Sequence, residues 1–267
     1  MLCRVNSRKT NPRRESSVGR RPCTIGLLAI SARLLVPTLG AACLLLTGCG
    51  RDFGPAGPER TETRTIDLDT SEEVRVDLKM GAGEMRVRGG ADKLMEGRFT
   101  YNRLRLRPEI SYNAGGIRGR LTVQEPSHVG SGTQRYRWEL RFNNQKPLDL
   151  NVKCGAGETR LDLGELTLRR VNVEMGVGEL KMDLRGAPKN DYDVSIRGGV
   201  GEATVYLPGA TSGVGIEADV KGGIGDIRAS GLTKHEGRYV NDDYGHAKTT
   251  LRLDIRGGIG AINLIAN

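Results

Sequence analysis

The sequence has little cysteine, few aromatic residues and no long apolar run beyond its first fifty residues. Of its five cysteines, Cys3, Cys23 and Cys43 lie in an N-terminal segment of distinct composition, and only Cys154 lies beyond residue 49. A lone cysteine cannot form an internal disulfide, so we expect the apolar core alone to hold the fold. Beyond residue 48 there is also no long apolar stripe with a period of 3.6, which argues against a helical protein.

An excess of positive charge is also missing once the N-terminal segment is set aside. The whole chain has 41 basic and 32 acidic residues. Residues 1–48 hold eight of the basic residues and one of the acidic residues, so 33 and 31 remain, a net charge of +2. Nucleic-acid-binding proteins carry a clustered basic surface. We therefore predict that nucleic acid is not a partner.

Residues 1–48 have the composition of a signal peptide. A basic region precedes a short apolar stretch from Leu34 to Leu46, which is shorter than the roughly 20 residues that a membrane-spanning helix needs. The stretch ends in Leu46-Thr-Gly-Cys49, which resembles the lipobox of bacterial lipoproteins. That resemblance implies cleavage before Cys49 and attachment of a membrane-anchoring lipid to its thiol. The alternative is an ordinary secretory peptide that happens to end in a cysteine.

The residues after Cys49 define the expected location and domain organisation. Gly50 follows, where inner-membrane lipoproteins of the resembling type carry aspartate, so the resemblance implies the outer membrane or the cell surface. Residues 49–62 begin with a stretch rich in glycine and proline and are predicted to be a flexible tether. We predict an N-terminal β region with an insertion over 63–147 and a repeat region over 148–267.

The most regular feature of the sequence is an internal repeat. In each copy, an alternating apolar segment leads into a Gly-x-Gly turn, and a second alternating segment follows it. The copies span residues 76–87, 150–161, 171–182, 194–205, 218–229 and 253–264. From the second to the fifth copy, the second glycines are 21, 23 and 24 residues apart, which is within the range of solenoid repeats.

The repeat predicts stacked strands. Alternation with a period of two is typical of a half-buried strand on each side of the turn, and glycine allows the positive φ and close approach that stacked turns require. One copy cannot bury its apolar face alone, so neighbouring copies should stack. The sequence therefore predicts an all-β fold: a repeat-built β-solenoid or layered sheet, with an antiparallel β region inserted between residues 94 and 143.

The turns and the lone cysteine do not support catalysis or a cofactor. A dinucleotide-binding fingerprint needs a third glycine three residues after the second, and no copy has one. Cys154 stands where other copies have methionine or glycine, which indicates a packing position rather than a nucleophile. We therefore predict a protein that is not an enzyme and needs no cofactor.

An acidic residue follows the turn in five copies: Glu84, Glu158, Glu179, Glu202 and Asp226. Stacked in register, these residues would form a column with a spacing of about 4.8 Å. Basic residues stand five positions earlier in most copies, which predicts an ion-pair ladder across the turn. A ladder in which Glu158, Glu179, Glu202 and Asp226 bind divalent cations is the alternative. A further polar cluster matches no established zinc or calcium spacing: His235, Glu236, Asp242, Asp243 and His246.

Three segments together resemble a known family. They are Asp77-Leu-Lys-Met-Gly-Ala-Gly-Glu84, Cys154-Gly-Ala-Gly-Glu158, and Asn241-Asp-Asp-Tyr-Gly-His-Ala247 with Ile255-Arg-Gly-Gly-Ile-Gly260. In this order they resemble the bacterial toast-rack family, a domain of unknown function related to adhesin-like and LiaF-type cell-wall-active antibiotic response domains. The resemblance covers nearly all of residues 63–267 and implies an all-β rack of stacked strands at the cell envelope. It supplies no catalytic residues.

These observations predict an envelope lipoprotein that acts as a structural or adhesin-like interaction scaffold. Its expected partners are the membrane, through the N-terminal lipid, and proteins or glycans, through the folded part. An accessory module of a cell-envelope stress response is the alternative that the LiaF-type resemblance suggests.

Overall fold

The computed structural model describes residues 57–127, 136–210 and 212–267. The predicted signal peptide, Cys49 and most of the predicted tether lie outside the described residues. Within them the chain forms one short 3₁₀ helix (Leu104–Leu106) and the strands β1 (Arg60–Ile66), β2 (Glu73–Arg88), β3 (Met95–Tyr101), β4 (Glu109–Asn113), β5 (Arg118–Gln124), β6 (Tyr136–Phe142), β7 (Leu148–Asp162), β8 (Leu168–Asp183), β9 (Tyr192–Leu207), β10 (Val214–Lys221), β11 (Ile227–Ser230), β12 (Thr233–His235), β13 (Arg238–Val240), β14 (Thr249–Arg256) and β15 (Ile262–Ala266). The first described strand, β1, starts at Arg60, within the range 49–62 that was predicted to be a tether.

Each repeat copy forms one rung of a stack, with an incoming arm before the glycine turn and an outgoing arm after it. In the first four rungs a single long strand runs through the turn: β2, β7, β8 and β9. The side chains that point between the two arms are buried, as Val76 and Leu78 on one arm and Met85 and Val87 on the other show. The alternation in the sequence therefore places the core between the arms, and the all-β prediction is confirmed.

The rungs stack as parallel strands, in register. Gly83, Gly157, Gly178 and Gly201 lie opposite one another through the first four rungs. The order of the last two rungs differs from the order in the chain. Strand β14 of the sixth rung pairs with β9 on one side and with β10 on the other, so the sixth rung lies between the fourth and the fifth.

The insertion combines the predicted antiparallel pairing with an extension of the stack. Strands β3 and β6 pair antiparallel, as do β4 and β5. However, β5 also pairs parallel with the incoming arm of β2, and β6 with its outgoing arm. Together they form a split rung ahead of the first copy. There the Glu125 carboxylate accepts a hydrogen bond from the Gly81 amide at the turn, with 2.5 Å between N and Oε2.

The segment between the fifth and sixth rungs covers the far end of the incoming arms. Strands β12 and β13 form a hairpin, and β13 pairs antiparallel with β10. Beyond the hairpin, the buried Asn241 amide continues the pairing: its Oδ1 accepts from the Ile216 amide at 2.7 Å and its Nδ2 donates to the Val214 carbonyl at 2.8 Å. A covered edge of this kind prevents pairing with the edge of another sheet.

Candidate functional site

The acidic column forms in part as predicted. Glu84, Glu158, Glu179 and Glu202 lie opposite one another on successive rungs. Asp226 does not adjoin Glu202, because the sixth rung intervenes and places Ala261 between them. At one strand spacing per rung, Asp226 is about 9.6 Å from the position of Glu202. The four candidate cation ligands are therefore not one continuous row.

The predicted partners of this acidic column were wrong. Glu158, Glu179 and Asp226 each pair with the basic residue two positions later on the same arm, at 2.5 to 2.7 Å, namely Arg160, Lys181 and Arg228. Residues i and i+2 of a strand lie on the same face. The basic residues five positions earlier lie on the incoming arm, on the other side of the glycine turn.

The two remaining carboxylates of the column have partners on neighbouring strands. Glu84 accepts from the Arg137 guanidinium at 2.8 Å, and this hydrogen bond holds the pKa of the Glu84 carboxyl below its usual value. The Glu202 Oε1 accepts from the Asn263 amide at 2.6 Å. Among the described residues, no group of three or more histidine, cysteine, aspartate or glutamate side chains is placed to hold a metal ion.

We expect thermal unfolding of this protein to be nearly independent of calcium, because each carboxylate of the column already has a hydrogen-bonding partner. Salt should lower the melting temperature only slightly, since exposed ion pairs contribute about 0 to 1 kcal/mol each. Melting curves with and without calcium test this. If the column did bind calcium, the ion at about a hundred times its dissociation constant would add about 2.7 kcal/mol to the free energy of unfolding. A rise of several degrees that is lost in Glu179→Gln with Glu202→Gln would show that the column is a cation site.

The outer surface of the incoming arms carries a second polar pattern, which sequence reasoning missed. We call it the outer polar face. One of its columns alternates in charge through the six rungs of the stack, in the order Arg75, Asp149, Arg170, Asp193, Arg252 and Glu217. Opposite charges on adjacent strands stabilise pairing, whereas like charges oppose it.

A neighbouring column of the outer polar face consists of amide, hydroxyl and carboxylate side chains: Asp77, Asn151, Asn172, Ser195, Asp254 and Asp219. Within it, the Asn172 Nδ2 donates to the Asn151 Oδ1 at 2.9 Å. A surface depression of about 360 Å³ runs across this column and the next one toward the turn, which includes Lys79, Lys153, Glu174 and Arg197. The depression presents basic, acidic and neutral polar side chains at regular intervals along the stack, so it offers both hydrogen-bond donors and acceptors.

The remaining candidate residues are the cysteines and the polar cluster between β12 and β14. Cys154 is buried, with 2% of its surface exposed, and burial raises the pKa of its thiol, which agrees with a packing position. His235 lies on β12, while Asp243 and His246 lie in the turn before β14. Cys49 lies outside the described residues. Across residues 57–127, 136–210 and 212–267, no helix has both the length and the apolar character needed to cross a membrane.

Comparisons with known proteins agree with this architecture. The family model for the N-terminal domain of toast_rack, DUF2154, matches residues 55–206. Among solved structures, the chain is similar to a predicted cell adhesion protein from Clostridium sporogenes, with 32% identity and a TM-score of 0.72 over 79% of this chain and 100% of that chain.

Other matches are more distant. A predicted adhesin from Bacteroides fragilis has 11% identity and a TM-score of 0.30, over 79% of this chain and 99% of that chain. A predicted adhesin from Parabacteroides distasonis has 12% identity and a TM-score of 0.25, over 78% and 97%. No protein with a curated description matches the chain. The family match covers more than half of the sequence, and this chain therefore belongs to the toast-rack family.

Proposed function

We propose that this protein is an envelope-anchored lipoprotein whose folded part is a structural or adhesin-like interaction scaffold and not an enzyme. The observation that carries the proposal is the similarity to the Clostridium sporogenes protein, which is described as a predicted cell adhesion protein and is matched over its full length at 32% identity. In this proposal, lipid on Cys49 holds the protein at the outer membrane or cell surface, and the rack projects from it.

The outer polar face supports contact with a protein or glycan partner. Its columns repeat polar groups at about 4.8 Å, the spacing of neighbouring strands. An extended ligand with many hydroxyl, amide or charged groups can form several hydrogen bonds to such a surface at once. Each bond contributes only about 0.5 to 1.5 kcal/mol, so binding requires the ligand to span several rungs.

Retention of cells on a glycan array and on protein-coated surfaces tests the proposal. Cells that express the full chain should be retained on at least one surface more strongly than cells that lack it. Replacing the amide pair with Asn151→Ala and Asn172→Ala should reduce retention by about tenfold, since two hydrogen bonds of this size are worth roughly that factor. Asn190→Ala, an exposed asparagine between β8 and β9, is the matched control and should have no effect. Equal retention with and without the protein would contradict an adhesive role.

The stress-response alternative depends on the LiaF-type resemblance alone. It predicts that a sensor kinase is encoded beside this protein and that deletion changes the response to antibiotics that act on the cell wall. Neither the outer polar face nor the solved relative favours it over the scaffold.

A further inference from the structure

Four large aliphatic side chains stand in an unbroken row on the outside of the glycine turns. They are the central residues of Gly-x-Gly in four successive rungs: Val177, Val200, Ile259 and Ile224. Their exposed fractions are 55%, 47%, 51% and 72%. We call this row the aliphatic ridge. At one strand spacing per rung it is about 14 Å long, and contiguous exposed apolar surface of this kind marks interaction sites.

Core packing does not account for the aliphatic ridge. The inward-facing position lies two residues before the centre of each turn. It is occupied by Met80, Cys154 and Met175 in the first three rungs and by Gly198, Gly257 and Gly222 in the last three. A cavity of about 40 Å³ lies beneath the turns of these glycine-containing rungs. In three of the four ridge rungs, those of Val200, Ile259 and Ile224, the apolar side chain therefore stands outside a turn that has glycine inside it, and in the rung of Val177 the inward position is Met175.

The ridge runs between two columns of opposite charge. Three residues before it, on the incoming arms, is a mainly basic column: Lys79, Lys153, Glu174, Arg197, Arg256 and Lys221. Two residues after it, on the outgoing arms, is the acidic column, which Ala261 interrupts in the sixth rung. The ion pairs of the acidic column are with its own arm or with β6. In the basic column, Lys221 and Arg256 pair with aspartates of the outer polar face and Lys153 pairs with Glu174, so among the described residues the ion pairs of the two columns are separate.

This arrangement selects one symmetry for contact between two ridges. If two copies face each other across a two-fold axis parallel to the stack, Arg197 of one meets Glu202 of the other and Lys221 meets Asp226. At the other two ridge rungs Arg256 meets the uncharged Ala261, and Glu174 meets Glu179. If the axis is perpendicular to the stack, the order of the rungs is reversed in one copy. Arg197 then meets Arg256 and Glu179 meets Asp226, and only Glu174 meets an opposite charge, at Lys221. The first arrangement has two kinds of opposite-charge contact against one like-charge contact, and the second has two like-charge contacts against one opposite-charge contact, so electrostatics favours the first.

We propose that the aliphatic ridge is the face through which two copies of this chain associate side by side, with their stacks parallel. The inference goes beyond adhesion and does not depend on it. A parallel pair places the β1 edges of both copies at the same end, which fits two chains anchored in one membrane and, in this respect alone, rests on the proposed lipid anchor. The apolar contact is narrow, and small interfaces form transient complexes, so a covalent trap is the suitable measurement.

Cysteine cross-linking of the full chain in intact cells tests the proposal. In the parallel pair every ridge residue meets its own counterpart, so both Ile224→Cys and Val177→Cys should form disulfide-linked dimers under mild oxidation. In an antiparallel pair the two ends of the ridge meet, so only a mixture of Val177→Cys and Ile224→Cys chains would cross-link. Leu104→Cys, at a residue 64% exposed outside the ridge, is the matched control, and the unsubstituted chain accounts for the natural cysteines.

Charge exchange at one rung gives an independent measure. Arg197→Glu, combined with Ile224→Cys, should lower the yield of cross-linked dimer several-fold, because two acidic groups would then face each other. Adding Glu202→Arg should restore the yield by reversing both charges. Dimer yields from Ile224→Cys and Val177→Cys no higher than from Leu104→Cys would overturn the ridge as an interface, as would binding of the ridge to lipid vesicles without any cross-linking. Cross-linking only in the mixture would overturn the parallel arrangement.

Discussion

Gly201→Val is expected to lower the free energy of unfolding by at least about 3 kcal/mol. Gly201 has a φ of +138°, a conformation that residues with a Cβ atom rarely adopt, and an added Cβ would lie well inside the contact distance of the Gly178 carbonyl oxygen on the next rung. The neighbour is backbone and cannot rotate away. Thermal unfolding should shift downward by roughly 10 °C, at about 2 to 4 °C per kcal/mol for a chain of this size.

Gly198 is a matched control in the same rung. Its φ is not in the left-handed region, and an added Cβ meets no atom within 4 Å. Gly198→Ala should therefore leave stability unchanged or raise it by about 0.4 to 1 kcal/mol, since alanine restricts the unfolded chain, whereas Gly201→Ala should destabilise the protein. Equal melting temperatures for the two alanine variants would mean that close stacking of the turns does not hold the rack together.

Trp138→Ala is expected to cost about 3 to 5 kcal/mol. Trp138 is fully buried and lies on β6, where the insertion joins the stack: it is opposite Met85 on β2 and opposite Phe99 on β3. Its ring packs edge-to-face against Phe99, with centroids 5.7 Å apart, and against Tyr136 at 5.4 Å. Removal of the indole leaves a large cavity at this junction.

Denaturant unfolding followed by circular dichroism checks the Trp138 prediction, because Trp138 is the only tryptophan in the chain and its fluorescence is lost with it. Trp138→Phe should retain more of the stability, since a ring still fills part of the space. Leu104→Ala, at an exposed position, should change the midpoint little. A Trp138→Ala midpoint equal to that of Leu104→Ala would show that the insertion and the stack are not coupled through this cluster.

The sequence predicted the rungs well but not their order. Alternation and the Gly-x-Gly turns define each arm locally, and parallel stacking follows because a single rung cannot bury its inner face. Neighbour choice depends instead on side chains far apart in the chain. In chain order, Asp193 would lie beside Glu217; with the sixth rung between them, Arg252 separates the two acids. Alternation of charge between neighbouring rungs could therefore have predicted the observed order from the sequence.

The candidate site was less predictable than the fold. The acidic residues were identified from their regular position, but their partners were assigned to the wrong arm, because a repeat pattern does not show which way each arm faces after the turn. Arg160 and Lys181, two residues downstream of Glu158 and Glu179, were the better choice from strand periodicity alone. The outer polar face was missed because its columns become continuous only in the stacked register.

Labelling of intact cells with a fatty-acid probe tests the envelope-scaffold account most directly. The full chain should incorporate the probe and remain with the membrane fraction, and it should be cleaved by protease added outside the cells if the rack is displayed at the surface. Cys49→Ser should abolish labelling and release or mislocalise the protein, while Cys154→Ser, at the buried cysteine, should leave labelling intact. Unchanged labelling in Cys49→Ser, or a wild-type chain that is never labelled, would contradict the proposed lipid anchor.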